Sequence, residues 1–115
     1  MNGFHNRVLH VDLEARSFRE EMLGDDIVSS YLGGKGLGTH LLLQNSKAGA
    51  DPLSGDNPLI FATGPATNTH VWGSSRYGVY TKSPLTGLYA ESYSGGRVAE
   101  PMNRTGYDAV VLEGI

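Results

Sequence analysis

Arg76, Lys82 and Arg97 stand among Gly73, Gly78, Gly87, Gly95 and Gly96 in GSSRYGVYTKSPLTGLYAESYSGGR (73–97), a stretch that reads as strand and turn with no long helix. Glycine lets backbone N–H groups approach an anion closely, and the three basic side chains supply the opposing charge, so the chemistry open to this stretch is anion binding. Arginine suits a phosphate best: its guanidinium is planar, permanently charged and able to donate two parallel hydrogen bonds, which a lysine ammonium cannot match. On the residues alone, the default reading of Arg76 is still a surface arginine paired with an acidic neighbour. A second glycine-rich run, GGKGLG (33–38), carries Lys35. It lacks the spacing of a P-loop and follows a helix pattern where a dinucleotide fingerprint would follow a strand, so its plain reading is a glycine-broken junction between helices with Lys35 in solvent.

Other chemistries are harder to place. The chain has no cysteine, which removes disulfides, thiolate nucleophiles and iron–sulfur ligation from within it. His5, His10, His40 and His70 are scattered, with no pair four apart on one helix, and read as structural or surface residues. Trp72 reads as a partly buried core residue, with lining of a cleft as the alternative. A net charge of −3 and a pI near 5.7 give no footprint for nucleic acid or an acidic membrane surface. No apolar run approaches the ~20 residues of a membrane helix, and MNGFHNRVLHVDL lacks a signal-peptide core, so a soluble, cytoplasmic protein is expected.

The elements that must position these residues fit one domain over 1–115. Period-2 alternation predicts a strand at Arg7–Leu13 and a second at Ser17–Met22, joined as a hairpin. Asp25 or Asp26 can cap a short helix through Tyr31, and a second helix is expected from about Gly36 to Asn45 with Leu37, Leu41 and Leu42 as its apolar stripe. Residues 48–58 read as a surface loop. Leu59–Thr63, Tyr77–Lys82, Leu88–Tyr93 and Tyr107–Glu113 read as strands, the middle two forming a hairpin around SPLTG. Ser94 is a candidate helix cap. Pro101, however, is comfortable only in a first helical turn, which predicts a loop from Gly95 to about Ala99 followed by a short helix. Sheet should outweigh helix.

In order and spacing, RVLHVDL, YLGGKGLG, PLIFATGPAT, SSRYGVYTKSPLTG, SGGR and GYDAVVLEG resemble the amino-terminal domain of the tungsten-containing aldehyde ferredoxin oxidoreductase family, across essentially the whole chain. TKSPLTG and GYDAVVLEG are the most specific. The resemblance implies an α+β, sheet-dominated domain of two antiparallel sheets with two or three short helices. It would form the base for a bis-molybdopterin cofactor carrying tungsten or molybdenum, whose phosphates meet at a magnesium ion.

Carried over by motif, Arg76 would contact a cofactor phosphate, and the backbone carbonyl of Tyr93 would reach magnesium. The family pattern has asparagine where Tyr93 stands. A main-chain ligand survives that change; a side-chain role does not. Ser94, Gly95 and Gly96 would offer an open backbone to the pterin, the two glycines serving otherwise only as a turn; Lys35 takes the place of a frequent family arginine and could contact the cofactor edge, and Arg97 would extend the positive rim or else point to water.

The resemblance also implies downstream domains holding a 4Fe-4S cluster, ferredoxin as electron acceptor, and aldehyde oxidation to carboxylic acids. The chain alone would be inactive, being the first, truncated part of a larger enzyme. Its uncovered sheet would then favour self-association into a homo-oligomer. The alternative is a stand-alone binding or structural module that kept the fold without redox chemistry.

Overall fold

The structure is a computed structural model and describes residues 1–114. Its elements run β1 (Arg7–Asp12), β2 (Ser17–Met22), α1 (Asp25–Tyr31), α2 (Gly34–Asn45), β3 (Leu59–Thr63), β4 (Tyr77–Lys82), β5 (Tyr89–Ser94), α3 (Ala99–Arg104) and β6 (Ala109–Glu113). Every expected strand and helix is present, with ends shifted by two residues at most. Both hairpins form: β1 pairs antiparallel with β2, and β4 with β5. In the second, the Ser83 hydroxyl accepts from the N–H groups of Leu85 and Thr86, and Gly87 takes the positive φ (70°) that closes the turn.

The sheet arrangement corrects the expectation of two antiparallel sheets. All six strands lie in one mixed sheet, ordered β2-β1-β6-β3-β4-β5, in which β1 and β6 are parallel. Asp108 pins β6 into the middle of it. This residue is buried; its N–H donates to the Arg7 carbonyl (2.8 Å), its carbonyl accepts from the Thr63 N–H (3.0 Å), and its carboxylate accepts from the N–H groups of His5 and Arg7 (3.0 and 3.3 Å). One residue, through both its main chain and its carboxylate, thus ties β6 to β1 and the end of β3.

Alternation along the strands sorts two faces. Val8, Ile60, Ala62, Tyr80, Ala109 and Val111 point to the helical side and are fully buried against Val28, Leu37 and Leu41 of α1 and α2. Leu9, Val11, Phe61, Val79, Val110 and Leu112 alternate with them and are only half-buried, in register across four strands. α1 and α2 therefore form a layer on the fully buried face, while Asn103 of α3 reaches the end of β3 by donating to the Thr63 hydroxyl (3.2 Å).

The break between α1 and α2 follows from backbone geometry. Leu32 closes α1 in the left-handed region (φ 55°), and Gly33 takes φ 72°, ψ −168°, a conformation open in practice only to glycine. The chain then turns directly into α2, which packs on β3 and β4. Gly24 precedes α1, so Asp25 and Asp26 occupy its first turn instead of capping it, where their charge still favours the helix dipole.

Candidate functional site

Arg76 immediately precedes β4, so the strand's alternation brings Arg76, Gly78 and Tyr80 to the helix-facing side. The loop before it is fixed by buried Thr67, whose hydroxyl lies within hydrogen-bonding distance of the Ser74 and Arg76 carbonyls (3.2 and 3.4 Å). Arg76, Gly78 and Tyr80 line a cavity of about 190 Å³ together with Gly34, Thr67 and Tyr93. The guanidinium is exposed and, among the described residues, has neither an ion pair nor a hydrogen bond. The acidic neighbour of the default reading is not there.

The segment from Tyr93 to Gly96 lies alongside. Tyr93 pairs with Gly78 and Ser94 with Tyr77, while the Ser75 hydroxyl donates to the Gly96 carbonyl (3.1 Å), joining the two segments beyond the strand ends. β5 is an edge strand, so part of its backbone faces away from β4. Gly96 adopts φ 82°, and a side chain there would meet nothing within 4 Å, so this turn is open to close approach.

On the same face of β5, Tyr89, Glu91 and Tyr93 form a polar row. The Glu91 carboxylate accepts from Lys35 of α2 at 3.0 Å and from the Tyr89 and Tyr93 hydroxyls at 3.0 Å each. The Lys35 hydrogen bond, reinforced by those of the two tyrosines, holds the Glu91 carboxyl below its ordinary value, and Glu91 in turn raises Lys35. Lys35 is therefore ion-paired across α2 and β5 while its side chain stays 62% exposed, a solvated lysine with a partner the sequence did not show.

Of the sequence-predicted residues, Arg76 and Tyr93 share the cavity, and Ser94, Gly95 and Gly96 follow directly. Arg97 is exposed beyond them, and Lys35 is engaged by Glu91. Ser94 ends β5 and caps nothing; α3 begins at Ala99 with Val98 before it and no side-chain cap, which leaves Pro101 in its first turn. Trp72 is 98% exposed, so it is no core residue. His10 is buried between Glu21 (2.7 Å) and Glu113 (3.3 Å), His5 touches Asn103 (3.3 Å), His40 stacks on Tyr31, and His70 is exposed.

Sequence reasoning missed Gly34, Gly78 and Tyr80 as part of the site. The i, i+2, i+4 spacing from Arg76 already placed two of them on its face. A larger open hollow of about 590 Å³, lined by residues that include Asp12, Glu14, Arg19, Lys47 and Glu113, carries mixed charge and no converging set. No helix among the described residues is long and apolar enough to cross a membrane.

The family described as "Aldehyde ferredoxin oxidoreductase, N-terminal domain" matches residues 8–115. The tungsten-containing aldehyde ferredoxin oxidoreductases of Pyrococcus abyssi and Pyrococcus furiosus are each 40% identical over 114 residues, covering 99% of this chain and 19% of theirs. Among solved structures, the active site complex BamBC of benzoyl coenzyme A reductase with 1,5-dienoyl-CoA superposes with a TM-score of 0.93 at 34% identity, over 98% of this chain and 17% of that one. The chain spans about a fifth of the length of these relatives.

Proposed function

The chain belongs to the aldehyde ferredoxin oxidoreductase family, as its N-terminal domain, and from that premise we propose that it seats the phosphate end of a tungsten (or molybdenum) bis-molybdopterin cofactor. The observation that carries this reading is the unpaired Arg76 guanidinium at a cavity it shares with Tyr93, next to the open turn at Gly95–Gly96. At about 190 Å³ the cavity lies below the ~300–1,000 Å³ of sites that enclose drug-sized ligands, so it fits a phosphate group and not a pterin ring system.

In this reading the Arg76 guanidinium would hold the phosphate with its paired donors, and the Tyr93 carbonyl would supply an oxygen to a magnesium ion that neutralises it. Ser94, Gly95 and Gly96 let the ligand lie against the main chain. Arg97 adds positive charge at the rim, and Lys35 would do so only on leaving Glu91. When bound, such a centre supplies the two-electron redox change that converts an aldehyde to a carboxylic acid.

The complete enzyme would be cytoplasmic and pass its electrons through a 4Fe-4S cluster in further domains to ferredoxin. Those domains would cover the half-buried sheet face, and this chain alone would turn over no substrate. Arg76→Ala in the complete enzyme should lower tungsten and pterin content severalfold, with Arg76→Lys restoring it only in part because the fork is lost. Metal and pterin content equal to wild type in Arg76→Ala would remove Arg76 from the site.

The close match to the benzoyl coenzyme A reductase complex supports a second reading, in which the same seat serves an enzyme acting on a coenzyme A thioester. Assays of the complete enzyme with aldehyde plus ferredoxin against 1,5-dienoyl-CoA separate the two.

A further inference from the structure

Among the described residues, the hydroxyl of Tyr80 is a buried polar side-chain atom with no hydrogen-bond partner. A phenol enclosed in a core ordinarily finds one. Burial, and after it the Tyr93 hydroxyl, which lies close by but outside hydrogen-bonding geometry, push this phenol above its ordinary value, so it stays neutral and able to donate. The ring occupies space that two glycines leave: a side chain at Gly38 of α2 would approach the ring edge closer than 3.0 Å, and one at Gly78 would do the same to the hydroxyl. The hydroxyl is thereby set over Gly78, at the wall of the cavity that Gly78 lines with Arg76 and Tyr93.

The same cavity is lined by Gly34, the first residue of α2. That helix has twelve residues and no side-chain cap at its N-terminus. Its first-turn N–H groups have no partner within the helix, and its dipole turns a positive end to the same space.

We propose that the Tyr80 hydroxyl and the N-terminal turn of α2 complete the anion seat that Arg76 opens, all three holding the oxygens of one phosphate group. This rests on the reading of Arg76 as a phosphate ligand. It adds a neutral donor and main-chain donors to the charged one, the combination by which an oxyanion is fixed in orientation as well as attracted. The hydroxyl is closed to water in this structure, and Tyr93, 49% exposed and packed edge-on against Tyr80, is the wall that must give, letting go of Glu91 as it does so. Seating the anion turns that ring aside.

The test titrates inorganic pyrophosphate into the whole 115-residue chain and its Tyr80→Phe, Arg76→Gln and Tyr89→Phe variants, by calorimetry and thermal unfolding. Tyr80→Phe keeps the ring, so its ligand-free unfolding temperature should equal or exceed wild type, an unpartnered hydroxyl having been removed. Its pyrophosphate affinity should fall about tenfold, the value of a hydrogen bond to a charged group. Arg76→Gln should lose as much or more, and Tyr89→Phe should bind like wild type. Wild-type affinity in Tyr80→Phe with loss in Arg76→Gln overturns the role of Tyr80 and leaves the cofactor reading standing. Loss in Tyr80→Phe with none in Arg76→Gln keeps Tyr80 as a ligand and sinks Arg76. No saturable binding to the wild-type chain overturns the composite seat, while metal and pterin content of the complete enzyme still decides the cofactor reading.

Discussion

Single residues set the electrostatics around the cavity. Glu91 collects Lys35, Tyr89 and Tyr93 on one carboxylate, an arrangement that leaves Arg76 without competition from that acid. Because its folded pKa is depressed below the ordinary 4.5, Glu91 stabilises the fold above that pH, and the contribution disappears as pH falls through the folded value. Glu91→Gln should therefore flatten the acid limb of stability: between about pH 6 and 3 its denaturation midpoint should drop less than that of wild type. Urea titrations across that range check this, and parallel curves would refute it. The lysine that ends in this ion pair shows what a local pattern leaves unread, since its partner lies fifty-six residues away on another element. Trp72 carries the same lesson in reverse: its size favours burial, yet it sits in a loop that no layer covers.

At the level of elements, α2 approaches its neighbours more closely than side chains would permit. A Cβ at Gly36 would fall closer than 3.0 Å to the Tyr31 carbonyl oxygen, a backbone atom that cannot swing away. Gly36→Ala gains about 1 kcal/mol in helix propensity but incurs an overlap of roughly 1–3 kcal/mol or more, so a net loss of about 1 kcal/mol is expected by chemical denaturation. A stabilised variant would mean that α1 and α2 have slack. The strands and helices were legible because their signals are local: alternation in RVLHVD, a proline and glycine bounding LIFAT, the glycine pair after YL, and Pro101 fixing where α3 starts. Strand partners were not. The insertion of β6 depends on Asp108 meeting the backbone of His5 and Arg7, contacts about a hundred residues apart that no window of sequence displays. The candidate site was legible to the same extent: Arg76 and its glycines suggest a seat for an anion, whereas Gly34 and Tyr80 join their cavity only once α2 lies over β4.

For the molecule as a whole, the uncovered sheet face matters most. Leu9, Val11, Val110, Leu112, Phe61 and Val79 make a continuous half-buried apolar surface, and Phe18 beside Val11 is 74% exposed. Contiguous apolar areas of this kind mark contact surfaces, and β2 and β5 both offer open edges. The chain by itself should self-associate, its sedimentation coefficient rising with concentration, and Phe18→Lys should weaken that association. A strict monomer at high concentration would count against it. The placement of β6 also governs when the fold can exist at all. The strand that joins the two halves of the sheet is the last of the six to leave the ribosome, so until residue 113 has emerged the nascent chain holds two disconnected ribbons, β1–β2 and β3–β4–β5, with a gap between them. Closing that gap is a late, long-range event, and a chaperone that shields hydrophobic strands during synthesis would find its longest window here.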